Sequence, residues 1–192
     1  MANHVSQYLS IRSELSKEGR EMWNNLMARL DRDDAGDHEK HLGFMFWESY
    51  DDMNRENMCD NVGAKWAYRT DHDEGGMSMY SAWSPCLEFC SYIAEQIGQV
   101  DPGVQLALTY EDEFCNFIGA AIFDAGGLED QVELDSDEFI DMILEGDEEL
   151  QAHFDPEERE FDEEGQEMLW EVQWDRISDW QWNSLESMLG HR

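Results

Sequence analysis

Trp66 to Phe123 reads WAYRTDHDEGGMSMYSAWSPCLEFCSYIAEQIGQVDPGVQLALTYEDEFCNFIGAAIF, and this stretch decides the fold. Met77, Met79, Ser81 and Trp83 alternate with Ser78, Tyr80 and Ala82, the period of a strand. Ser84-Pro85 follows as a helix start, serine capping and proline at the first helical position. Cys86, Cys90, Ile93 and Ile97 then fall on one helical stripe, flanked by Leu87 and Ala94. Gly98 and Asp101-Pro102-Gly103 end that helix. Val104, Leu106, Leu108 and Tyr110 share one face of a second strand. Glu111-Asp112-Glu113 reads as a turn, and Cys115, Phe117, Gly119, Ala121 and Phe123 share one face of a third strand. Two strands joined by so few polar residues pair as a hairpin. The order strand, helix, strand, strand predicts an α+β fold: one helix on an antiparallel sheet, half of a ferredoxin-like arrangement.

Three short segments add a resemblance. Gly63-Ala64-Lys65-Trp66-Ala67 is similar to a "WGTKW-D-A" signature, Ala82-Trp83-Ser84-Pro85 to "T-x-WSPP", and Tyr110-Glu111 with Phe117-Ile118-Gly119 to "Y-x-E…F-x-G". Together, over roughly residues 44–128, they resemble the YubB-type ferredoxin-like domain family of phage, plasmid and other mobile-element proteins. The resemblance implies a mobile-element origin and a ferredoxin-like sheet, and no active-site residues. Val62, Tyr68 and Cys86 depart from the family pattern.

The chain has 192 residues, 41% of them hydrophobic and 12% aromatic, enough for one core with a small extension. No amino-terminal apolar run resembles a signal peptide and none approaches the ~20 residues a bilayer requires, so a cytoplasmic location is expected. The four cysteines (Cys59, Cys86, Cys90, Cys115) are scattered, as in a reducing compartment. Cys86 and Cys90 stand one helical turn apart and read as small buried residues, with a metal or redox pair as the sharper alternative.

Charge is the outlying property. Forty-six acids against twelve bases give −34, and only three of the bases are lysines. A phosphate-binding surface needs lysine and arginine, so direct nucleic-acid binding is excluded, and an anionic membrane would repel the chain. Self-repulsion of this size calls for salt, cations or a basic partner.

On the amino-terminal side, the spacing of Val5, Tyr8, Leu9, Leu15, Met22, Trp23, Leu26, Met27 and Leu30 predicts a helix over 4–31, weakened at Gly19. That segment holds four of the bases and is a candidate dimerisation helix. Residues 31–41 read as an acidic loop. Asp31, Asp33 and Gly36 match a calcium loop, but Ala35 and Leu42 stand where ligands are needed. His38 and His41 lack a third ligand nearby. Leu42–Tyr50 is a strand candidate, 51–62 a polar loop and Gly63–Thr70 another strand, with Asp71–Gly76 as a hairpin turn carrying His72.

Beyond Phe123 the composition shifts. Between Glu129 and Glu167 there are nineteen acids and one base, Arg159. Apolar positions persist, so short helices with an acidic outer face are expected: one capped by Ser136 and closed by Gly146, another starting at Asp155-Pro156-Glu157-Glu158. Met168, Trp170, Val172 and Trp174 alternate like a strand, and Ser178-Asp179 caps a last helix. Trp170, Trp174, Trp180 and Trp182 read mainly as core, with an exposed partner anchor as the alternative. The chain therefore divides at 1–41, 42–128 and 129–192.

No nucleophile elbow, phosphate loop or metal-binding helix motif is present, so neither an enzyme nor a cofactor is expected. A folded acidic face can compete for a basic groove in place of duplex DNA, which carries one charge per ~1.7 Å. The expectation is an acidic mobile-element protein that inhibits a basic host DNA- or RNA-binding defence complex by charge mimicry. The face would comprise Asp137, Glu138, Asp141, Glu145, Asp147, Glu148, Glu149, Asp155, Glu157, Glu158, Glu160, Asp162, Glu163 and Glu164. The competing reading is acidity for salt adaptation or solubility alone. A homodimer through sheet edges is compatible with either.

Overall fold

Val5, Gln7 and Leu9 point inward while His4, Ser6 and Tyr8 point to solvent, because His4–Ile11 is strand β1 and not the start of a helix. The computed structural model describes residues 3–31 and 40–190. The expected helix over 4–31 is confined to α1 (Lys17–Leu30), capped by Ser16, whose side chain accepts from Gly19 N. Gly19 is a packing position rather than a weak point. A Cβ there would fall 2.5 Å from the Asp101 carboxylate, which itself accepts the Ser16 N–H.

After β2 (Lys40–His41), two short 3₁₀ turns (Leu42–Met45 and Tyr50–Asp52) and α2 (Arg55–Val62) replace the expected strand at 42–50 and loop at 51–62. Then follow β3 (Ala67–His72), β4 (Gly76–Ala82), α3 (Leu87–Gly98), β5 (Leu106–Asp112), β6 (Phe117–Asp124) and β7 (Gly127–Asp135). The central stretch forms the strand, helix and strand pair its periodicity predicts, with two adjustments. Cys86 rather than Ser84 is the N-cap of α3, and the Ser84 hydroxyl donates instead to Gly63 O. Strand β5 also runs on through Asp112, so the β5–β6 turn is Glu113–Asn116.

All seven strands form one open antiparallel sheet in the order β2-β3-β4-β1-β5-β6-β7. Strand β1 lies at its centre, and β7, inside the acidic stretch, is at an edge. The sheet therefore draws strands from both sides of residues 41 and 128. Its inner face packs on α1, α2 and α3 around Trp23, Leu9, Met77, Phe89, Ile93, Leu108 and Phe123. Burying each such side chain contributes roughly 1.5–3 kcal/mol. The inward polar residue of β1, Gln7, is fully bonded: it donates to Ser81 Oγ (2.7 Å) and accepts the Cys86 N–H (2.7 Å).

The outer face of β5–β7 is covered by the remaining helices: α4 (Ser136–Leu144), α5 (Glu148–Ala152) and α6 (Glu163–Gly190). Between α5 and α6 a two-stranded ribbon pairs β8 (Phe154–Asp155) with β9 (Glu160–Phe161). Asp155-Pro156-Glu157-Glu158 thus begins a turn, not a helix. The expected strand at 168–174 and the expected cap at Ser178 both lie inside the 28-residue α6. No described helix is long and apolar enough to cross a membrane.

Candidate partner-binding face

Thirteen of the fourteen expected carboxylates are exposed, and Asp147 is half-buried. The local structure that fixes them comes from acids used as caps. Asp135, not Ser136, caps α4: its carboxylate accepts from the N–H groups of Asp137 and Glu138, and Glu138 reaches back to Asp135 N, a reciprocal capping box. Asp147 caps α5 by accepting from Leu150 N, and Asp162 accepts from Gly165 N at the start of α6. Negative charge at these helix starts also suits the dipole.

The few bases here are consumed locally. Arg159, at φ 55°, pairs through Nε with Asp137 (2.9 Å) and through Nη2 with Asp141 (3.0 Å). Arg176 pairs with Asp147 at 3.6 Å. His153 meets Asp162 at 3.0 Å, which raises the histidine above its ordinary pKa; the Gly165 N–H and His153 together lower Asp162. Among the described residues, no ion pair is formed by Glu145, Glu148, Glu149, Glu157, Glu158, Glu160, Glu163 or Glu164.

Helix α6 adds what the sequence reading missed. Its buried residues Gly165, Gln173, Ile177, Gln181 and Leu185 fall on a four-residue repeat. Glu163, Glu167, Glu171, Asp175 and Asp179 make a second such repeat, and all five are exposed. A four-residue step overshoots a full turn by about 40°, so both ridges wind around the axis together. Two residues offset them by about 200°, and the acids stay opposite the buried ridge along all of their ~24 Å. Like charges four apart oppose helix formation by roughly 0.2–0.5 kcal/mol per pair. The row is thus maintained against the helix's own stability.

The ridge one residue beyond the buried one carries Trp170, Trp174 and Trp182, which are 64%, 45% and 53% exposed. The reading of these tryptophans as core is therefore corrected; only Trp180 is half-buried. Arg12 lies over the Trp182 ring at 4.6 Å and bonds Glu186 at 3.2 Å, tying α6 to the end of β1. Trp170 and Trp174 line a cleft of about 480 Å³ between α6, α4, β9 and the β5–β6 turn.

Outside this face several titratable groups are held in the packing of the fold. His41 is buried against Phe44, Tyr50 and Tyr68, its Nδ1 accepts the Gly43 N–H at 3.0 Å, and burial lowers its pKa to about 4. Burial raises the Cys86 thiol to about 12 and Cys90 also well above its usual value. Asp31 pairs with Arg69, while Asp33, Gly36 and His38 of the calcium-like loop lie outside the described residues. Among the described residues no group of three or more His, Cys, Asp or Glu side chains is placed to hold a metal ion. Neither a family model, nor a curated protein, nor a solved structure matches this chain.

Proposed function

We propose that this protein binds a basic nucleic-acid-binding protein, its fixed carboxylates standing where phosphates would lie. The single observation that carries this reading is the exposed row Glu163, Glu167, Glu171, Asp175 and Asp179, held opposite the buried ridge of α6 despite mutual repulsion. The exposed acids of α4, α5 and the β8–β9 turn extend it. Carboxylates already ordered by caps lose little freedom on binding, and a field of one sign steers a basic partner quickly. In a mobile element the partner would be a host defence complex of the restriction or CRISPR type. The four-strand subset β3-β4-β1-β5 with α1 and α3 follows the order β-α-β-β-α-β, which supports a ferredoxin-like frame and the YubB-type kinship.

The test is capture of partners from host lysate at low salt, elution by a salt gradient and competition with duplex DNA. A single nucleic-acid-binding complex is expected, displaced by duplex and lost when the α6 row is neutralised (Glu163→Gln, Glu167→Gln, Glu171→Gln, Asp175→Asn, Asp179→Asn). Neutralising Asp147, Glu148, Glu149, Glu157, Glu158 and Glu160 with the α6 row intact should also weaken capture. Capture indifferent to duplex and to both sets of substitutions would sink the mimicry and leave solvation as the role of the acids.

A further inference from the structure

Phe114 is 68% exposed, yet it sits on a tightly determined turn. The buried Asp112 carboxylate accepts from Phe114 N (3.1 Å), Asn116 N and the Asn116 side-chain amide, and Cys115 follows at φ 51°. The turn aims Phe114 at the cleft that Trp170 and Trp174 line from α6. Scattered exposed apolar residues are ordinary, but three large aromatic rings around one concavity are not. Phe139, Ile140 and Leu169 give the cleft apolar lining beside the amides of Gln166 and Gln173.

The rim is acidic. Glu113 and Glu160 line the cleft, and the row Glu167, Glu171, Asp175 stands about 100° further round α6 than the tryptophan ridge. Among the described residues the one base lining it, Arg159, is engaged by Asp137 and Asp141. An apolar centre with aromatic walls inside a charged rim is the anatomy of an energetic anchor point in a protein interface. The rim's sign selects the occupant: an apolar side chain flanked by lysine or arginine. Exposed indole faces suit such flanking cations, as Arg12 over Trp182 and Lys65 over Trp83 (4.8 Å) do within this molecule.

We propose that the Phe114–Trp170–Trp174 cleft receives an apolar side chain of a cationic partner segment, so that recognition is read through one hydrophobic anchor as well as through charge. This rests on the acidic face being the partner surface. It also goes beyond that reading, because imitation of phosphates by itself gives no role to an aromatic cleft.

The experiment compares two synthetic peptides of equal positive charge by calorimetry at about 0.15 M salt. One carries leucines between its lysines and arginines, and the other carries serines there. The native protein should bind the leucine peptide about tenfold tighter, the contribution of one buried anchor. Trp170→Ala, and independently Phe114→Ala, should abolish that preference, so that each variant binds the two peptides with equal affinity. Both side chains are exposed, so the fold survives either change, and far-ultraviolet circular dichroism verifies it. Equal affinity of the native protein for the two peptides overturns the anchor. In that case, loss of serine-peptide binding on neutralising the α6 row still leaves the acidic face standing. A preference that survives both alanine substitutions also overturns the assignment of the cleft.

Discussion

His41 is one residue through which acid lowers stability. Its unprotonated Nδ1 accepts the Gly43 N–H inside an aromatic cage, and its folded pKa is about 4 against about 6.5 for a free histidine. The unfolded chain therefore binds the extra proton first. The sign follows from linkage: this contribution is fully present above about pH 6.5, declines as pH falls, and is gone below about 4. The loss between those two limits is roughly 3 kcal/mol. An asparagine at this position keeps an acceptor for Gly43 and removes the titration. Urea unfolding of His41→Asn and the native protein should thus differ in slope against pH between 4 and 6.5 and run parallel above it.

The cysteines give a second check at this scale. Cys59 is exposed, Cys115 half-buried with its thiol raised to about 11, and Cys86 and Cys90 fully buried with thiols raised further. Alkylation under native conditions should modify Cys59 rapidly and Cys115 slowly. Cys86 and Cys90 should react only in denaturant. Rapid native labelling of Cys90 would contradict the packing of α3.

Among the elements, α6 holds the sharpest trade-off. Neutralising its acid row removes four like-charge pairs at roughly 0.2–0.5 kcal/mol each, so the variant should gain about 1–2 kcal/mol at low salt while losing its partner. Denaturant unfolding measures the first effect and capture the second. Gln181 is the opposite case: its buried amide donates to the carbonyls of Tyr110 (3.1 Å) and Gly119 (3.3 Å). Gln181→Ala should cost about 1–3 kcal/mol in the same assay.

The same helix shows why part of the fold was illegible. Its buried ridge repeats every four residues and includes Gly165, Gln173 and Gln181, so no apolar stripe of period 3.6 exists to be read. Meanwhile Met168, Trp170, Val172 and Trp174 alternate by accident of the half-buried flank and the exposed ridge, and imitate a strand. Strand β1 was hidden in reverse: Val5 and Leu9 are four apart, as on a helix, and the inward residue between them is Gln7. The β3–β4 and β5–β6 hairpins and α3 were legible because their inward residues are mostly apolar and keep their periods, whereas β7, with few apolar residues in an acidic stretch, was not read as a strand. Of the candidate face, the acids of α4 and α5 could be found from composition. Glu167, Glu171, Asp175 and Asp179 could have been found only by testing a four-residue period.

On the scale of the whole molecule, charge dominates. A net −34 on 192 residues opposes compaction, and screening relieves it. The thermal midpoint should rise from low salt to about 0.5 M sodium chloride, with monovalent salt sufficient. A midpoint independent of salt would mean that the repulsion is already offset within the fold.

The position of β1 sets a schedule for synthesis. Strand β1 pairs with Gly76–Ala82 on one side and Leu106–Asp112 on the other, both later in the chain. About 100 residues must therefore be added after Ile11 before its second partner is complete, roughly 5–20 s at cellular rates of translation. During that interval Val5, Leu9 and Ile11 sit on a segment with an open edge. The nascent chain carries an unfinished sheet over this interval, and β1 gains its second neighbour only once β5 has left the ribosome.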